Sequence, residues 1–230
     1  MTARLAVTVR TLIGLAGIVN LLLVVRATPA QAQAVEMFAG DDAATVDVMF
    51  FNYFKDAAGQ PSPVLLFHRS RALVDYDVDS SSRRNLPQFG TTNAVSYNPK
   101  ALRGFAPVVA LSITTSTVAS KVGLQYARVH PTHTLFGWVV SETHARPAID
   151  VFMLGRYVHR ITSTVGLFTQ LESVSVLPTE ADARASFTVR SRLGIDAARW
   201  QFGVGADVRR STGAASAAPA NVGVFTRYAF

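Results

Sequence analysis

The chain has 230 residues, of which 49% are hydrophobic and 16% charged, and it has no cysteine. Its mean hydropathy of +0.25 is high for a water-soluble protein. Repeated runs of about 18–20 apolar residues are missing, which excludes a helical membrane bundle. Lack of cysteine excludes disulfides and thiolate metal sites. The formal charge of +7 comes from dispersed arginines, without the clustered basic stripe of a nucleic-acid binder.

The first residues have the three parts of a secretory leader. Arg4 and Arg10 supply positive charge, Leu12 to Val25 form an apolar core interrupted by Asn20, and small residues follow. Residues 1–34 are read as a signal peptide cleaved at Ala32-Gln33-Ala34, with Ala30-Gln31-Ala32 as the near alternative. An uncleaved anchor is the competing reading. Arg26 speaks for it, while Pro29 and the Ala/Gln run speak against it. Without Arg4, Arg10 and Arg26 the mature chain, starting at Val35, has 19 basic and 15 acidic groups, or +4.

Residues 35–62 read as an N-terminal periplasmic segment. Val46, Met49, Phe50, Tyr53, Phe54 and Ala57 recur at helical spacing, with Asp41 or Asp42 as caps, and predict an amphipathic helix. A strand through Val46–Phe51 is the alternative, because β-branched and aromatic residues are dense there.

From residue 63 to 230 the pattern becomes extended. Ten strands are expected at about Val64–Val78, Gly90–Asn98, Phe105–Ile113, Val118–Val129, His133–Glu142, Ile149–His159, Thr164–Val176, Ala185–Ile195, Arg199–Arg209 and Asn221–Phe230. Alternation is clearest late in the chain. Trp200, Phe202, Val204, Ala206 and Val208 oppose Gln201, Gly203, Gly205, Asp207 and Arg209. Connections alternate between short turns and longer polar loops. Tyr97, Tyr126, Trp138, Tyr157, Trp200 and Tyr228 read as interface anchors or core fillers.

The last strand, with Tyr228 and a terminal Phe230, resembles the closing strand of bacterial outer-membrane β-barrel proteins. The resemblance implies an all-β fold, an antiparallel up-and-down transmembrane β-barrel of about ten strands, with twelve as the alternative. It implies residence in the outer membrane of a bacterial cell envelope. Outer-membrane lipid, lipopolysaccharide and the barrel-assembly machinery are the implied partners, with Tyr228 and Phe230 as the assembly signal. Nucleic acid is not an expected partner. If the last strand descends to the periplasm, an even count puts both termini there, so one extra strand at Thr45–Lys55 breaks the parity. That argument favours the helix.

No Gly-rich phosphate loop, nucleophile elbow or His-Glu-x-x-His motif is present, and no cofactor or metal is expected. Three constellations remain. Asp75, Asp77 and Asp79 share a strand face at the mouth, and Glu142 and His144 end another strand at the same side. Close carboxylates beside an acid–His pair suit acid–base chemistry and resemble the rim of omptin proteases. His68 and Ser70, two apart on a strand, share a face, as does the pair that outer-membrane phospholipase A and lipid A deacylases carry on their lipid-facing surface. No acid is placed by the sequence to orient the histidine. The third is a lumen-lining set: Arg69, Arg71, Lys121, Asp150, Arg156, Glu172, Arg190, Arg192, Asp196, Asp207, Arg209 and Arg227. These charges form either a salt-bridged plug or a narrow anion-preferring path. The expected functions are therefore a structural or channel-forming barrel, a barrel hydrolase, or a soluble periplasmic carrier with an apolar lumen.

Overall fold

The structure is a computed structural model and describes residues 33–76, 88–130, 132–180, 182–212 and 220–230. The described residues form twelve strands: β1 (Ala34–Gly40), β2 (Ala43–Lys55), β3 (Pro61–Asp75), β4 (Gln88–Tyr97), β5 (Phe105–Thr114) and β6 (Val118–Val129). The second half holds β7 (His133–Glu142), β8 (Ala148–Arg160), β9 (Val165–Pro178), β10 (Ser186–Ala197), β11 (Trp200–Ser211) and β12 (Asn221–Ala229). Each strand pairs antiparallel with its chain neighbours, and β1 closes the ring on β12. Closure leaves no edge with unpaired N–H and C=O groups, which hydrocarbon could not satisfy.

The ten strands expected after residue 63 are all present, with β6 and β7 at the expected bounds. The N-terminal segment is corrected. Residues 35–62 are not a periplasmic appendage with a helix; they hold β1 and β2, two staves of the barrel. In β2 the inner face carries Thr45, Asp47, Met49 and Phe51, while Val46, Val48 and Phe50 face outward. Apolar residues on both faces erase the period of two and imitate a helical stripe. β1 has seven residues and adds the twelfth strand. The expected mature start at Val35 lies one residue inside it, whereas cleavage after Ala32 would leave β1 whole.

The even count places Ala34 beside Ala229 at one rim, called here the terminal rim. Asp56–Gln60, Asn98–Gly104 and Ala198-Arg199 connect strands at that rim. At the opposite rim β3, β9 and β11 end, and two tight connections lie there at 41–42 and 115–117.

Two different assemblies cross the interior. On one side Phe51 and Phe67 from β2 and β3 meet Phe136 from β7, each at a ring-centroid distance of 5.0 Å. Trp138 and Phe152 extend this cluster. Beside it Arg69 on β3 reaches Glu172 on β9, 2.8 Å away. These strands are six apart in a ring of twelve, so the ion pair spans the barrel. A second apolar group, Phe38, Val158, Phe168 and Phe225, lies towards the β1–β12 seam. Gly205 makes room for the charged side: a Cβ there would stand 2.7 Å from Cδ of Arg192.

Candidate functional site

The faces of the wall follow from register and burial. Cross-strand partners share a face, so the inward position of Glu172 carries Arg190 and Asp207 with it through two pairings. By the same rule all twelve residues of the charged set lie on the inner face. Each central acid bridges two arginines. In order the chain of pairs runs Arg71–Asp47–Arg69–Glu172–Arg190–Asp207–Arg192–Glu36–Arg227. Glu36, outside the expected set, is the link that ties β1 to Arg192 on β10 and Arg227 on β12. Its signal was present in the alternation of Val35-Glu36-Met37-Phe38, once those residues are read as a strand. Arginine faces also stack on rings, Arg192 over Phe38 at 4.1 Å and Arg227 over Phe168 at 4.9 Å. Towards the rims, Lys121 pairs with Asp150, and Asp196 accepts from Arg160 at 2.6 Å. Arg209 lies on the same inner face, opposite Thr188.

The outer face is the reverse. Leu124, Val139, Met153, Leu171, Leu193, Val204 and Val224 stand exposed in a continuous aliphatic band. Tyr97, Phe105, Tyr126, Tyr157, Trp200 and Tyr228 point outward near the terminal rim, with Trp200 and Tyr228 in contact at 4.9 Å. An apolar band bounded by aromatic side chains around a charged interior is built for a bilayer. The chain is a transmembrane β-barrel of the outer-membrane class. Of the six aromatics expected as interface anchors or core fillers, Trp138 alone turns inward, into the aromatic cluster. A charged, crossed interior is also the opposite of what an apolar-ligand carrier needs.

No family profile and no curated protein matches this chain. Among solved structures it is similar to the KdgM porin, with a TM-score of 0.44 and 12% identity over 86% of this chain and 98% of that one. A chain from a study of in-meso crystallization of membrane proteins gives 0.41, with 11% identity over 85% of this chain and 81% of that one. A mutant of Rh. blastica porin gives 0.25, with 10% identity over 87% of this chain and 99% of that one.

One block of this barrel's outer face departs from the apolar rule. His68 and Ser70 on β3 oppose Asn93 and Thr91 on β4, so the four side chains form a two-by-two patch on the outside. His68 Nδ1 lies 2.7 Å from Asn93 Oδ1, and His68 Nε2 lies 3.0 Å from Ser70 Oγ. Asn93 Oδ1 can only accept, so Nδ1 carries the hydrogen and Nε2 faces Ser70 with its lone pair. Ser70 Oγ also lies 3.0 Å from Thr91 Oγ1. The imidazole is buried, with Phe50 of β2 stacked on it at 4.7 Å. Around the patch the outward positions are Phe50, Leu66, Val95 and Leu111. The geometry is that of a nucleophile, a base and an orienting acceptor. The sequence shows the His/Ser pair but not its third member, because it places no acid beside the histidine. An amide fills the role, 25 residues away, and only the β3–β4 register brings it into place.

The rim constellation is placed differently. Glu142 is engaged on three sides: His144 Nε2 at 2.8 Å, the Ala148 N–H at 2.9 Å and Lys121 Nζ at 3.9 Å. Asp75 ends β3, with three strands of the wall between it and β7. Asp77 and Asp79 lie outside the described residues. The acid–His pair therefore forms, but Asp75 does not join it.

Proposed function

We propose that this barrel is an outer-membrane serine hydrolase acting on acyl esters presented by the surrounding bilayer. The observation that carries the reading is the Ser70–His68–Asn93 relay on the lipid-facing wall. Ser70 Oγ attacks the ester carbonyl as His68 Nε2 takes its proton. The imidazolium then protonates the departing alcohol oxygen, and a water deprotonated by His68 releases the acyl group from Ser70. Asn93 holds Nδ1–H and so keeps the lone pair of Nε2 on Ser70. The neighbouring backbone N–H groups are occupied in the sheet ladders with β2 and β4. Thr91 Oγ1 accepts from Ser70 in the resting geometry, which leaves its own hydroxyl hydrogen to donate to the oxyanion.

Depth supports a lipid substrate. Thr91 pairs with Ser70 and Phe89 with Ala72, so an outward aromatic stands one step closer to the loop rim. Tyr76 follows at the rim itself. Aromatic side chains collect at the headgroup boundary, where the ester linkages of membrane lipids also lie. All members of the patch can be neutral, as a lipid-facing surface requires. The leader read from residues 1–34 and the closing strand ending in Tyr228 and Phe230 support placement in a bacterial outer membrane. The terminal rim would then face the periplasm, with lipid and lipopolysaccharide around the wall.

The channel reading has less support, since the aromatic cluster and the Arg69–Glu172 pair both cross the lumen. The test is labelling of the detergent-purified barrel with a fluorophosphonate, together with release of fatty acid from a phospholipid in mixed micelles. Both should vanish in Ser70→Ala and His68→Ala, while the barrel keeps its heat-modifiable migration on gels. Labelling and hydrolysis that survive Ser70→Ala would overturn the proposal. Steady conductance of the wild type in planar bilayers would favour the channel.

A further inference from the structure

The bridged chain of charges leaves one central guanidinium out. Arg156 on β8 faces the interior, and among the described residues it forms no ion pair. Its Nε donates to Gln170 Oε1 at 3.1 Å, while Nη2 is shut off from solvent and has no hydrogen-bond partner. A guanidinium nitrogen shut off from solvent without a counter-charge costs far more than a paired one. The adjoining network cannot supply the missing anion. It contains five arginines and four acids, and its last acid, Glu36, is already shared between Arg192 and Arg227. Arg227 ends that chain on the same side of the lumen, with its guanidinium over Phe168, two residues before Gln170 on β9.

We infer that the barrel interior holds a small inorganic anion at Arg156. The cross-strand partners of Arg156 are Thr134 and Gln170, both on the inner face and both buried. A hydroxyl and an amide N–H are the donors an anion needs beside a guanidinium. Chloride is the probe of suitable size and charge. It would complete the alternation of signs that every other central arginine achieves with a carboxylate. The inference rests on the interior alone and stands apart from the hydrolase reading.

The experiment uses the full barrel, purified in detergent and dialysed into gluconate. Chloride or bromide is then titrated at constant ionic strength while the unfolding midpoint is followed by the loss of heat-modifiable migration. Ligand that binds the folded state alone raises the midpoint by mass action. The wild type should show a saturable rise, and Arg156→Gln should show none. Crystals of the wild type soaked in bromide should give an anomalous peak within hydrogen-bonding distance of the Arg156 guanidinium. That measurement needs no variant, so it stands even where Arg156→Gln fails to assemble. A midpoint indifferent to chloride, a rise that persists unchanged in Arg156→Gln, or no bromide at Arg156 would each overturn the inference.

Discussion

The inner and outer faces of this wall each carry a polar assembly, and the two are built by opposite rules. Inside, the groups are charged, and along the central chain of pairs every link but the two end arginines is shared between two partners, as Asp47 is shared by Arg69 and Arg71. Outside, the His68–Ser70–Asn93–Thr91 block consists of short groups that can all be neutral, with contacts of 2.7–3.0 Å among them. The interior can hold ions because opposite ions supply the solvation that burial removes. The lipid-facing side cannot, so its polar groups must be uncharged and mutually bonded. The inner assembly is explained by stability and by closing the seam between β1 and β12. The outer one sits in an aliphatic band where any apolar residue would serve the fold, and for that reason it points to chemistry.

The largest expected effect lies on the outer face. Ser70→Ala should lower ester hydrolysis on the order of 10⁴-fold or more, as loss of a nucleophile does, while urea unfolding in detergent stays where it was. From the inside the effect should fall on stability instead. Glu36→Gln leaves Arg192 and Arg227 without their shared acid and should cost about 3–5 kcal/mol in reversible urea unfolding, with hydrolysis per folded molecule unchanged.

A smaller effect separates position from reaction. Asn93→Ala should reduce kcat by about 10²-fold, the lower range for a disturbed general base, with labelling of Ser70 slowed but still detectable. Asn93→Asp offers a sharper check, because it restores an acceptor for Nδ1 but puts a charge on the lipid face. It should keep part of the rate and lower the yield of assembled barrel, measured as the heat-modifiable fraction. At the bottom of the scale is the exposed pair Arg146–Glu180 at 2.9 Å in the rim loops. Arg146→Ala should change the unfolding free energy by less than about 1 kcal/mol, as surface ion pairs do. A loss as large as that of Glu36→Gln would erase the distinction between inner and rim charges.

How much of this could be read from the chain differs stretch by stretch. In β10 to β12 one face is mostly apolar and the other mostly charged, polar or glycine, so the period of two survives and each side chain can be assigned to its face. β2 failed because Met49 and Phe51 pack into the aromatic cluster while Phe50 covers His68, so neither face looks polar. β1 failed because it has only seven residues, too few to establish a period. Missing one strand and reading the next as a helix left the parity intact, and the even count of ten concealed both errors.

The amino-acid sequence alone determined that this is a barrel, which face of each late strand meets lipid, and that the interior must hold arginines against acids. Those conclusions need only local alternation, which each residue shares with its neighbours two away. Tertiary structure decided everything that depends on register and closure. It set twelve strands rather than ten, made Glu36 the link across the seam, left Arg156 without a carboxylate, and put Asn93 against His68. Such contacts join residues tens to nearly two hundred positions apart, and a one-residue slip in pairing would send each of them to the wrong face.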